Sequence, residues 1–218
     1  WLHDFLLDPF PIRPAVILRM PRFNMSSDEA SQIADYFAAV DGAVYPYEFD
    51  PRTRSDYLES EEAAHKDRLG DALKLVTDSN YCVKCHLIGD FAPAGAVSAM
   101  APRLDRVSTR LRPEYVERWV ANPKRLLPYT GMPVNFPIDK PADQKLYKGS
   151  SPEQLEAVVD LLLNWPSFMK DKTSIKPMVK PAAPAAADKG PVGAPVAAAG
   201  KVKADRGDAD RGNTDGSQ

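Results

Sequence analysis

The 218-residue chain sets 28 basic against 30 acidic side chains, a formal net charge of −2, and 44% of its residues are hydrophobic. Such a balance lacks the basic excess that phosphate neutralisation requires, which argues against nucleic acid as a partner. The longest apolar runs, residues 14–18 and 158–165, fall short of the roughly 18–20 residues that span a bilayer, so no transmembrane segment is expected.

The first stretch, residues 1–44, opens on Trp1 without an initiator Met and without the charged start, apolar run and small-residue cleavage site of a signal peptide, as expected of a processed chain or a fragment. It carries a Met-Pro loop at Met20 and Pro21, with Phe23 and Asn24 close behind. Ser26 and Glu29 then make a capping-box pattern, and Ile33, Tyr36, Phe37 and Val40 recur at i, i+3, i+4 and i+7, which predicts an amphipathic helix. Residues 45–60, with turn residues, mixed charge, Pro46 and Pro51, read as a linker.

A second helix is expected over about 61–78, where Leu69, Ala72, Leu73 and Val76 keep helical spacing. Gly70 interrupts it at a cost of about 1 kcal/mol relative to Ala, which suits a point where another helix crosses closely. His65 lies among charges at its start and is expected at the surface.

Next comes Cys82-Val83-Lys84-Cys85-His86, which holds both cysteines of the chain. C-x-x-C-H is the attachment signature of a c-type haem. Two thiols three positions apart share one side of a helical turn and can both add to the porphyrin vinyl groups, while the adjacent imidazole turns onto the iron. Other chemistry is open to the pair. A zinc site would need about four ligands, and only His3, His65 and carboxylates without finger spacing could complete it. A thioredoxin-like dithiol would follow a strand, whereas these flanks read as helical, and a structural disulfide remains an alternative if haem never attaches.

Beyond the motif, proline-rich loops with Pro93, Pro102, Pro128, Pro133 and Pro137 are stiffened by their fixed φ. A short helix is expected from about Pro113, with Tyr115, Val116, Trp119 and Val120 on one side. A second Met-Pro loop, Met132 and Pro133, echoes the first with Asn135 and Phe136 and leads to another capped helix. There Ser151, Pro152 and Gln154 give the start signal, and Leu155, Val158, Val159 and Leu162 the apolar stripe. Residues 171–218, rich in Ala, Pro, Gly, Lys and Asp, cannot bury enough apolar surface to offset ordering entropy and are expected to be disordered.

From about residue 60 to 169 this pattern resembles the class I cytochrome c family, and more narrowly the bacterial cytochrome c modules of multi-domain electron-transfer proteins. The resemblance implies an all-α fold, a small helical domain (61–170) wrapped around one covalent haem c, with Gly70 on a helix that crosses a later one near Leu162 or Trp165. Ala101-Pro102-Arg103-Leu104 is similar to the family's Gly-Pro-x-Leu segment, with Ala in place of Gly; there the Pro102 carbonyl would accept a hydrogen bond from the proximal His86 and orient it. Met132 fits the distal methionine ligand better than Met100 or Met169. His/Met ligation favours ferrous iron and fills both axial positions, which suits moving electrons rather than activating substrates. Arg103, Arg106, Arg110 and Tyr129 are candidate partners for the haem propionates.

By the same resemblance, residues 1–44 look like the back half of another module, with Met20 the distal ligand of a haem whose attachment motif is absent. If so, the faces around Phe5, Ile17, Phe23 and Phe37 are left partly unsupported. Alternatively the segment is a helical extension packed on the haem domain. The function implied is one relay of a multi-haem chain, exchanging electrons with redox protein donors and acceptors in the periplasm or at the outer face of the membrane, associated with it through missing sequence or a partner. The rivals are a peroxidase-like enzyme subunit and a haem-based sensor, both with an open distal site.

Overall fold

Helices make up the regular structure of the described residues, 1–16, 19–43 and 50–180 of the computed structural model, apart from three isolated backbone bridges. The all-α expectation therefore holds for them. The elements are α1 (Leu2–Leu7), α2 (Ser27–Val40), α3 (Ser55–Ala64), α4 (Arg68–Thr77), α5 (Val107–Arg110), α6 (Pro113–Ala121), α7 (Pro123–Leu126), α8 (Ser151–Leu163) and α9 (Trp165–Phe168). Short 3-10 turns lie at Pro51–Thr53, Cys82–Lys84, Val97–Ala99 and Lys176–Met178. Among the described residues no helix is long and apolar enough to cross a membrane.

The core is organised around α8. Its residues Leu155, Val158, Val159 and Leu162 are buried as the stripe predicts, and Ala157, Leu161 and Leu163 are buried as well, so from Ala157 to Leu163 the helix is enclosed on all sides. Against it pack α4 through Ala72, Leu73, Leu75 and Val76, and α6 through Val116 and Val120. Each large side chain fully buried here contributes about 1.5–3 kcal/mol. The helix starts one residue earlier than its sequence suggests. Ser150 is the N-cap, and its hydroxyl and N–H pair with Glu153 in a reciprocal capping box. Gln154 is thereby released from capping. Wholly buried, its Oε1 accepts from Ala142 N–H at 2.6 Å and its Nε2 donates to the Tyr147 carbonyl at 2.9 Å, clamping the loop after Met132 onto α8.

The helix expected over 61–78 is two helices, α3 and α4, broken at His65–Asp67, where Asp67 adopts a left-handed φ of 59°. Gly70 is explained by that turn. A Cβ there would overlap the folded-back Asp67 carboxylate rather than a crossing helix, a clash that a flexible side chain could relieve. His65 is part-buried: its Nε2 pairs with Asp71 at 3.0 Å and its ring stacks on Tyr147 at 4.4 Å.

Residues 50–64, within and beyond the stretch expected as a linker, are anchored to α8; residues 45–49 lie outside the described residues. Asp160 of α8 has no exposed surface and receives Arg52 at 2.8 Å, Arg68 at 2.5 Å and the Tyr57 hydroxyl at 3.1 Å. Arg52 also meets Glu117 at 3.0 Å and Glu156, and Arg68 meets Glu61 at 3.3 Å. Burial, and then the Asp160 charge, push the Tyr57 phenol up to about 12. Such a cluster is stable only as a set, because removing one partner strands a desolvated charge.

Residues 171–180 of the stretch expected to be disordered are instead held against the domain. Ile175 is wholly buried, its N–H bonds Asp90 at 2.9 Å, and Lys180 N–H bonds the Thr77 carbonyl at 3.2 Å. Residues 181–218 are outside the described residues. At the other end α1 and α2 pack on each other, with Trp1 stacked on Phe5 at 5.0 Å and Phe5 edge-on to Phe10 at 5.4 Å. Phe5 is part-buried, whereas Phe23 is 57% and Phe37 50% exposed; Ile17 is outside the described residues.

Candidate cofactor site

Helix α4 delivers the chain directly into the cysteine motif. It ends at Thr77, whose hydroxyl donates back to the Leu73 carbonyl at 2.7 Å, and Asp78 then organises a turn by accepting from Asn80 N–H at 2.9 Å. The motif itself is a single 3-10 turn, Cys82–Lys84, closed by His86 N–H on the Cys82 carbonyl at 2.9 Å. Val83 plugs the core beneath it. The turn gives the two cysteines different surroundings: Cys82 is part-buried against the core and Cys85 is exposed, and both thiols are free. Burial pushes the Cys82 thiol up to about 12.

The Pro102 segment runs alongside the motif, held by Ala101 N–H on the Cys85 carbonyl at 2.8 Å and Leu104 N–H on the Leu87 carbonyl at 2.9 Å. The His86 ring lies 2.6 Å, through Nδ1, from the Pro102 carbonyl oxygen. A carbonyl only accepts, so Nδ1 carries the proton and Nε2 keeps its lone pair. Burial lowers the His86 pKa, an effect the Pro102 bond opposes and the nearby Arg110 charge reinforces. The result is a neutral, oriented imidazole with a free nitrogen, the form in which histidine binds metals.

The other predicted residues divide. Met132 is part-buried in the loop between α7 and α8, its N–H 3.3 Å from the Thr130 hydroxyl oxygen. That loop is moored to α8 by the Ser151 hydroxyl, 2.5 Å from the Pro137 carbonyl, and by Gln154 further on. Met132 is not among the side chains packed on the core, and its neighbours in sequence Leu126, Tyr129, Val134 and Ile138 are exposed, Tyr129 at 84%. Met169 packs on the core, and Met100 precedes the Pro102 segment in a 3-10 turn's wake. Met20 is part-buried in the N-terminal loop.

Arg103, a candidate propionate partner, is committed elsewhere. It donates to the Gly89 carbonyl at 2.6 Å and to Asp105 at 2.8 Å, bracing the loop that follows His86. Among the described residues, Arg106 and Arg110 have neither a carboxylate nor a hydrogen-bond acceptor for their guanidinium groups, and Arg13 of the N-terminal segment joins them electrostatically. Sequence reasoning missed Arg13, and also Asp90, which ties the motif loop to Ser174 at 2.7 Å and to Ile175. Neither had a local pattern to betray it.

Among the described residues no three or more His, Cys, Asp or Glu side chains gather to hold a metal ion. A porphyrin supplies four nitrogens of its own, so a haem needs no such cluster. The residues present do fit that group: two free thiols on one turn, an imidazole with its lone pair free, an exposed apolar loop carrying Met132, and arginines without acid partners. Compared with family models, curated proteins and solved structures, the chain matches none.

Proposed function

We propose that this chain is an electron carrier with the cytochrome c fold, holding one covalent haem c between residues 61 and 170. The observation that carries the reading is the 2.6 Å contact of His86 Nδ1 with the Pro102 carbonyl, one turn from two free thiols. Cys82 and Cys85 would anchor the group as thioethers, and His86 Nε2 and Met132 would be the axial ligands. A haem held this way supplies a one-electron iron couple. The chain's own residues orient the imidazole through Pro102, keep it neutral through burial, and fix the Met132 loop through Ser151 and Gln154.

With both axial positions filled, the work is electron relay between redox proteins, through the small, transient contacts such exchange needs. The open-iron alternatives want a distal acid or base, and both remaining histidines are engaged, His65 with Asp71 and His3 with Asp4 and Ser27. We place the carrier outside the cytoplasm, in the periplasm or at the outer membrane face, where covalent haem is attached, and read residues 1–44 as part of a second module whose haem Met20 would ligate. The test is the optical spectrum of the reduced holoprotein with and without carbon monoxide. An unchanged spectrum supports two held axial ligands, and Met132→Ala should then open the iron to carbon monoxide. A shift in the unmodified protein overturns the carrier reading in favour of catalysis or gas sensing.

A further inference from the structure

Past α9 the chain returns to the cysteine motif. Within residues 170–177 Ile175 is the one large apolar side chain, and it has no exposed surface. It seats against the loop that follows His86, its side chain within 3.5 Å of the position a Cβ on Gly89 would take. Asp90, the next residue of that loop, accepts from the Ser174 hydroxyl at 2.7 Å and from Ile175 N–H at 2.9 Å, and it meets Lys176 at 3.8 Å. Pro177 then sets the 3-10 turn Lys176–Met178, and Met178 and Val179 pack on the core. Lys180 follows with its N–H on the Thr77 carbonyl at 3.2 Å and its carbonyl accepting from the Ser79 hydroxyl. Residues 174–180 thus grip the chain on both sides of the motif, at 77–79 before it and at 89–90 after it.

The turn between those grips needs outside support, because a single 3-10 turn has poor hydrogen-bond geometry of its own. Part of that support is the Pro102 segment, through the Cys85 and Leu87 carbonyls and the His86 ring, and Arg103 adds a bond to the Gly89 carbonyl at 2.6 Å. Residues 174–180 supply the rest, from the far end of the domain sequence. They also cover the loop carrying the proximal histidine with the buried Ile175. The apolar shell around a metal site controls how far water reaches its ligands, and with it the relative stability of the oxidised and reduced metal.

We propose that residues 174–180 form a strap that holds His86 on the haem iron and keeps water from its loop, with Asp90 as the positioning residue that latches it. This rests on the haem reading. Asp90 acts through the loop from His86 to Asp90 and not by contact with the group. Release of the latch therefore loosens the attachment turn and lowers the potential, while the thioether bonds stay in place.

The experiment uses the full haem-loaded chain. Mass and the reduced haem spectrum come first: an unmodified chain without thioether-bound haem overturns the haem reading and this proposal with it. In loaded protein, amide hydrogen exchange at His86, Ile88, Ala101 and Leu104 and the midpoint potential are measured in the unmodified chain, Asp90→Ala, Asp90→Asn, Ile175→Ala and, as a control on an exposed residue, Asp171→Ala. Both Asp90 variants lose the same charge, but Asn keeps an acceptor for Ile175 N–H, so the difference between them reads the latch and not the charge. Loss of the charge-assisted bonds should speed exchange at the four amides about tenfold in Asp90→Ala, and much less in Asp90→Asn. The potential of Asp90→Ala should lie below that of Asp90→Asn, because water reaching the loop favours the ferric form. Ile175→Ala changes no charge and should speed exchange and lower the potential together, whereas Asp171→Ala should leave exchange at the four amides unchanged. If exchange rises only at Ile175 and Lys180, and the two Asp90 variants have equal potentials, the strap has no hold on His86 and the proposal falls while the haem reading stands.

Discussion

Helices α2 and α8 begin alike and end in different worlds. Each follows a Met-Pro loop, and each starts on a serine N-cap locked reciprocally with a glutamate at the third helical position. Set in register from those serines, Ala30 faces Gln154, Tyr36 faces Asp160 and Phe37 faces Leu161. The first pair is wholly buried in both, but Tyr36 is 63% and Phe37 50% exposed where Asp160 and Leu161 have no exposed surface. The local signals set where a helix starts. Its burial depends on which partners arrive, and α8 has α4, α5 and α6 where α2 has α1.

That contrast can be broken first at Asp160. Replacing it with Ala strands Arg52 and Arg68 in the interior and should cost about 3–5 kcal/mol in urea unfolding, whereas Tyr36→Ala at the matching position should move the midpoint little. Next, Leu161→Ala should cost about 2–5 kcal/mol by cavity formation, against about 0.5 kcal/mol or less for Phe37→Ala; similar losses at both sites would mean that α2 is covered in solution. The caps should behave as equals, with Ser26→Ala and Ser150→Ala each losing about 1 kcal/mol of local helix stability, read by hydrogen exchange within the helix.

Acid gives the smallest effect. Bonds from Ser26, its N–H and then its hydroxyl, hold Glu29 below the usual carboxylate range, and the Ser150 hydroxyl and N–H do the same for Glu153. Both carboxylates bind protons less readily when folded. Their contribution is therefore present above the ordinary value of 4.5 and is lost as pH falls through the lower folded value. Exchange at Glu29 and Glu153 N–H should rise together on that descent. If only one responds, the two boxes are not equivalent.

Much of this was legible in the sequence. The helix type and the stripe of α8 followed from apolar spacing, and the apposition of Pro102 with His86 from a resemblance confined to a few adjacent residues. What stayed hidden was carried by polar groups whose partners are far away in sequence. Arg52 and Asp160 are 108 positions apart, and each looks locally like a solvated charge. Gln154 read as a cap because two serines precede the helix and periodicity does not choose between them. His65 looked exposed in its charged surroundings, since its stacking on Tyr147 depends on a loop that Gln154 folds. Arg13 had no pattern at all.

The buried Asp160 also decides where this molecule can be cut. A fragment beginning at Glu61 keeps Arg68 but loses Arg52 and Tyr57, leaving the carboxylate with one of its two cations and without its phenol. A fragment ending at Lys170 removes Ile175 from the core and leaves Asp90 without its amide donor. The shortest piece that retains its own electrostatic closure therefore runs from Asp50 to Lys180, and truncation inside those limits should yield a chain that aggregates.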